Sequence, residues 1–213
     1  MPHTMTPSAA WSELLEGNTR FASGAMAHPA QDVDHRARLS AAQNPFAVVF
    51  GCSDSRVAAE LVFDRGLGDL FVVRTAGHVI DTTVLGSIEY GVQILGTPLV
   101  VVLGHDSCGA VGAAADALTT GAMPEGFVRA VVDRVIPSIV ALPGEAADAV
   151  PGPGHPVDPA VLGREHVRHT VRMLLGYSAT VRDAVAAGRC AVVGATYALA
   201  EGQVEAVEAA GLG

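Results

Sequence analysis

The sequence predicts an α/β protein: a central, mainly parallel β-sheet flanked by helices, with an N-terminal helical arm and a helical C-terminal half. Three observations carry this. The apolar, β-branched runs are continuous rather than alternating, as strands covered on both faces require. Each run ends at a Gly or Arg that opens a more polar segment. A stretch of helical periodicity separates two of the runs, so parallel strands can be joined by a helical crossover.

The elements follow in order along the chain. Residues 8–24 place Trp11, Leu14, Leu15 and Phe21 at helical spacings, with Ser8 available as a cap and Gly24 as a stop. His28-Pro29 lies in an irregular stretch, and a short helical turn is expected over 36–42. A leading helix of this kind often packs on a partner subunit. Strands are expected at 46–50, 69–73, 99–103 and 191–193, leading into Gly51, Arg74, Gly104 and Gly194. Between the second and third, Val84, Leu85, Ile88, Val92 and Leu95 give a helix over 82–95. Helices are expected from Gly109 to Leu118 and over 127–142, where Pro137 should kink or break the second. Residues 143–159, rich in Pro and Gly, read as a surface loop, and one long helix runs from there towards Ala187. The chain is then one domain of 213 residues: an arm over 1–45, a core over 46–200 and a tail over 201–213.

The balance of 13 basic to 22 acidic residues leaves −9, and no Lys/Arg run offers the basic surface that phosphates need. No nucleic-acid partner is expected. A small anion remains admissible, because one Arg in a dry pocket can dominate its surroundings. No apolar run reaches the ~18 residues that span a bilayer, so no membrane partner is expected. Three cysteines are too few for a disulfide framework and suit a reducing compartment, so the expected location is cytoplasmic.

Two segments carry the chemistry: Gly51-Cys52-Ser53-Asp54-Ser55-Arg56 and Gly104-His105-Asp106-Ser107-Cys108-Gly109. Both follow buried strands, and loops at the carboxyl ends of parallel strands converge on one crevice. Two thiolates and an imidazole suit zinc, and three protein ligands leave a fourth position for water. Cys108 would open a helix, where the dipole favours the thiolate. Taken singly, a Cys after a strand is usually a small core residue and a His a satisfied one. The convergence of three argues for a metal, whereas Cys190, at a strand start with no such neighbours, reads as structural. Asp54 and Arg56 are near enough for an ion pair, whose commoner role is structural. His166 and His169 share a helical face without the His-Glu-x-x-His zinc pattern and read as solvated. His78 lies near the site and is a candidate proton shuttle.

Cys52-Ser53-Asp54-Ser55-Arg56 and Val102-Leu103-Gly104-His105-Asp106-Ser107-Cys108-Gly109, with Phe71-Val72-Val73-Arg74 and Ile88-Glu89-Tyr90 between them, resemble the β-class carbonic anhydrases of bacteria. The resemblance implies a lyase, reversible hydration of carbon dioxide to bicarbonate and a proton by a zinc-bound hydroxide, in a homodimer or homotetramer. It implies one zinc per subunit on Cys52, His105 and Cys108. Asp54 and Arg56 become the catalytic pair, with Arg56 orienting Asp54 and Asp54 accepting a hydrogen bond from the hydroxide. In some members that aspartate rotates onto the metal as a fourth ligand and switches the enzyme off. Gln43, Phe71 and Tyr90 match positions lining the substrate pocket. Arg74 and Tyr197 match two positions of an inhibitory bicarbonate pocket found in some bacterial members, but Val49 stands where that pocket has Trp. Two thiolates donate more charge than imidazoles, so activity is expected to rise above neutral pH. The alternatives are a carbon disulfide or carbonyl sulfide hydrolase on the same zinc site, and a zinc-stabilised bicarbonate sensor without turnover.

Overall fold

A computed structural model describes residues 5–140 and 158–213 of the chain. Five strands form one sheet in the order β2-β1-β3-β4-β5. They are β1 (Ala47–Cys52), β2 (Leu70–Thr75), β3 (Leu99–His105), β4 (Ala191–Tyr197) and β5 (Val204–Ala210). The first four are mutually parallel and β5 is antiparallel to β4. Every residue of β1 and β3 is buried, which explains their unbroken apolar sequence. Val49, Val101, Leu103, Val193 and Ala195 face one core. Val48, Phe50, Val100, Val102 and Val192 face the other.

Helix α1 (Pro7–Ala22) closes the first core together with α3 (Ala59–Val62). Thr6, rather than Ser8, caps α1 by accepting from the Ala9 amide at 3.2 Å. Gly17 lets α1 approach closely: a Cβ there would sit 1.8 Å from the Phe63 carbonyl oxygen. Helix α2 (Val33–Arg38) starts earlier than expected because Asp32 caps it. Helices α4 (Thr82–Glu89), α7 (Pro159–Tyr177) and α8 (Ala179–Ala186) cover the second core, while α5 (Gly109–Thr120) and α6 (Val128–Val140) enclose a third cluster reaching Cys52 and Cys108.

Four expectations change. The helix over 82–95 is α-helical only to Glu89 and continues as a π turn over Tyr90–Ile94. Helix α6 carries Pro137 without ending there. The long C-terminal helix is two, because Ser178 takes an extended backbone and its hydroxyl caps α8 by accepting from the Val181 amide. The tail over 201–213 supplies β5, whose Val-Glu-Ala-Val-Glu-Ala-Ala sequence lacks the β-branched density of the buried strands because it is an edge strand. Of the loop expected over 143–159, residues 143–157 lie outside the described residues.

Candidate metal centre

Strands β1 and β3 are neighbours although β2 lies between them in sequence, so the chain reverses direction across the sheet between them. A crevice opens at the carboxyl ends of strands at such a point. Cys52 ends β1 and His105 ends β3. Ser107, with φ of 51°, turns the chain back so that Cys108 becomes the residue preceding α5. The Sγ atoms of Cys52 and Cys108 and a ring nitrogen of His105 all lie within 4.8 Å of one another, and all three residues are buried.

Hydrogen bonds around this trio leave one face of it open. His105 Nδ1 lies 2.7 Å from the Asp106 carbonyl oxygen, which can only accept, so Nδ1 carries the proton. His105 Nε2 is buried and has no hydrogen-bond partner. An acceptor nitrogen orphaned beside two thiols is costly in a protein interior and is what a cation would satisfy. The Gly77 amide donates to Cys52 Sγ at 3.3 Å. A hydrogen bond from Cys108 holds the Cys52 thiol far below its usual value, and the same contact pushes Cys108 up. The pair therefore competes for one proton, and a bound cation removes that competition by deprotonating both thiols. The donor set fits zinc.

Asp54 and Arg56 stand beside the trio. Arg56 donates from Nε to Asp54 Oδ1 at 2.9 Å and from Nη2 to Oδ2 at 2.7 Å, and the Arg56 amide also reaches Oδ1. This fork holds the Asp54 carboxyl well below the usual carboxylate range. Asp54 Oδ2 lies 3.9 Å from His105 Nε2. Here the carboxylate is engaged by Arg56, and it is not among the three groups that converge as ligands.

The family model described as carbonic anhydrase matches residues 47–204. The chain belongs to the carbonic anhydrase family. It is 53% identical over 203 residues to "Carbonic anhydrase 2" of Mycobacterium tuberculosis, covering 95% of this chain and 93% of that one. It is 55% identical over 205 residues to a carbonic anhydrase of Mycolicibacterium smegmatis, covering 96% and 95%. Its fold is similar to a tetrameric β-carbonic anhydrase of Sordaria macrospora, with a TM-score of 0.65 and 24% identity over 92% of this chain and 95% of that one. This carbonic anhydrase is thus a zinc-dependent lyase that hydrates carbon dioxide, and the Cys-His-Cys trio is where one ion can sit.

The other sequence-derived candidates lie elsewhere. Phe71 pairs in register with Val48, four residues back from Cys52, which is roughly 13 Å along the strand. Its ring stacks on Tyr90 at 5.9 Å, and Tyr90 is 44% exposed. Gln43 is exposed and precedes β1, at the end of the strand opposite Cys52. Within one chain, none of the three joins the Cys-His-Cys trio. Arg74 donates to the carbonyls of Cys52 at 2.8 Å and Asp54 at 2.6 Å, bracing the ligand loop. Tyr197 stands on β4 with two strands between it and Arg74, and Val49 is fully buried in β1. His78 is buried with neither ring nitrogen hydrogen-bonded, so no hydrogen bond links it to the trio or to the surface as a shuttle would require. His166, expected on a solvated face, is 2% exposed. The amide of Gly77 was missed as a ligand partner. Its only sequence signal is a glycine two residues after the end of β2.

Proposed function

We propose that Asp54, held by Arg56, is the group that aims the attacking water in carbon dioxide hydration, and that Cys52, His105 and Cys108 are the zinc ligands. The observation that carries this is the fork of Arg56 on both oxygens of Asp54, placed beside the orphaned Nε2 of His105. Zinc, when bound, supplies a Lewis-acid charge and lowers the pKa of water towards neutrality. The remaining work belongs to the chain. Asp54 stays ionised because of Arg56, so it can only accept hydrogen bonds. Accepting one from the attacking water fixes the direction of the remaining lone pairs. Arg56 also lies 3.5 Å from the Ser107 carbonyl, tying the two ligand loops together. Should Asp54 turn onto the metal as a fourth ligand, it must first leave Arg56, so the ion pair opposes that inactive arrangement.

Gln43, Phe71 and Tyr90 are assigned to the substrate pocket of a neighbouring copy in a homodimer or homotetramer. Their distance from the ligands of their own chain supports this, as does the exposure of Tyr90. The Sordaria macrospora relative is tetrameric. The apolar rings would keep water from the carbon dioxide, and the Gln43 amide would donate to an oxygen of substrate or bicarbonate. A cytoplasmic location is consistent with three free cysteines, two of them needed as thiolates. No helix among the described residues is long and apolar enough to cross a membrane.

The experiment is zinc analysis and carbon dioxide hydration by Asp54→Ala and Cys108→Ala. The first should keep zinc and lose most activity, and the second should lose zinc. Full activity in Asp54→Ala removes that residue from the mechanism.

A further inference from the structure

Three histidines lie within the fold behind the metal centre, and only His105 is accounted for by metal binding. His166 projects from α7, buried, with Nε2 2.7 Å from the Gly77 carbonyl oxygen and Nδ1 2.9 Å from the Ser138 hydroxyl. The carbonyl can only accept, so Nε2 carries the proton, while the single Ser138 hydroxyl proton is shared between Nδ1 and the Val135 carbonyl oxygen 2.6 Å away. The His78 ring lies 4.3 Å from that of His166 and packs between it and Phe50, fixing the plane of the donor. Gly77 is therefore held at both ends: its carbonyl by His166, its amide by Cys52 Sγ at 3.3 Å. Its backbone, at φ 64° and ψ 21°, lies in the left-handed region, and a Cβ there would come 2.6 Å from Ala110 Cβ.

We propose that His166 is a positioning residue for the zinc ligand Cys52, acting through Gly77. The hydrogen bond to the Gly77 carbonyl fixes the orientation of the residue whose amide donates to the Cys52 sulfur. An N–H bond to a thiolate draws charge off the sulfur, so it weakens donation to the metal and leaves the metal more electrophilic. A purely packed core at this place would be served by Leu or Phe, with no polar group to bury. Gly77 cannot be replaced by a residue with a side chain, and α7 supplies the one imidazole that reaches its carbonyl.

The proposal rests on Cys52 being a metal ligand, and that reading is checked separately. Wild-type protein loaded with cobalt(II) must show a thiolate-to-cobalt charge-transfer band, and its absence would defeat the ligand assignment itself. With the band present, His166→Leu should shift it to longer wavelength, because the sulfur then donates more strongly. It should also lower zinc affinity roughly 10-fold in a chelator competition, because a Cys52 no longer held in place loses more than the stronger donation gains. His166→Gln, whose amide nitrogen falls where Nε2 lies, should restore both. If His166→Leu does not fold, His166→Gln is compared with His166→Asn, which reaches Ser138 but not Gly77. The Asn band should be shifted and the Gln band should match wild type. A band that stays in place in folded His166→Leu, or is the same in the Gln and Asn variants, overturns the proposal. Loss of thermal stability alone, with the band unmoved, would make His166 a packing residue.

Discussion

Arg56 grips both carboxylate oxygens of Asp54, at 2.9 and 2.7 Å, with its guanidinium side half exposed and Asp54 Oδ2 3.9 Å from His105 Nε2. A surface ion pair of this kind contributes little stability. Its worth lies in orientation, because a bidentate fork leaves the carboxylate one plane to occupy.

Replacing Asp54 by Asn should therefore lower kcat between about 10- and 100-fold while zinc content and melting temperature stay near wild type. Arg56→Lys should fall between the two, since an ammonium cannot make the fork. Stopped-flow hydration with metal analysis on the same samples decides this. An Arg56→Lys enzyme indistinguishable from wild type would show that the fork is dispensable.

Cys52→Ala should lose zinc and also lower stability. The buried His105 Nε2 and Cys108 thiol would then lack the cation that satisfies them. Metal content by atomic spectroscopy and a thermal melt read both effects. Retention of one zinc per chain would exclude Cys52 as a ligand.

Pockets shared between copies can be detected by complementation. A chain carrying Cys108→Ala and a chain carrying Tyr90→Ala should each be weak alone. Mixed assemblies should regain activity, because some sites combine intact ligands from one chain with an intact ring from the other. Activity no higher in the mixture than in its components would place Tyr90 outside any partner's pocket.

Burial pushes His166 down to about 4 and His78 well below its ordinary value. The unfolded chain takes up protons on these residues near pH 6.5, whereas folded His166 does not until about pH 4 and folded His78 resists protonation well below its ordinary value. Below pH 6.5 the unfolded state binds more protons, so stability falls as pH falls, by up to about 1.4 kcal/mol per pH unit for each histidine. Urea unfolding of zinc-loaded protein should show this between pH 6.5 and 5. His78→Leu should flatten the slope, and equal slopes would contradict the assignment.

Much of this was legible in the sequence, for physical reasons that differ by element. Strands β1 and β3 announce themselves because burial on both faces demands unbroken apolar runs, and the ligands follow directly at their ends. The Asp54–Arg56 pair is legible because two residues on one short loop have little choice of partner. Strand β5 was not, because an edge strand of Val, Glu and Ala without a continuous or strictly alternating apolar run carries no core signal. The burial of His166 was hidden for another reason: its neighbours in sequence, Glu165, Arg168 and His169, look like a solvated face. Glu165 is nonetheless buried against Arg168, whose guanidinium also donates to the Val207 carbonyl of β5. The placement of Phe71 and Tyr90 away from the Cys-His-Cys trio of their own chain depends on register across the sheet, which no local pattern encodes.

The most direct test of the central claim is stopped-flow carbon dioxide hydration by protein carrying one zinc per chain, from near-neutral to mildly alkaline pH. The account predicts rapid turnover that rises with pH, disappears when a chelator removes the metal and returns when zinc is restored. Zinc-loaded protein with no turnover at any pH would contradict it, and would turn attention to carbon disulfide, carbonyl sulfide or a sensing role.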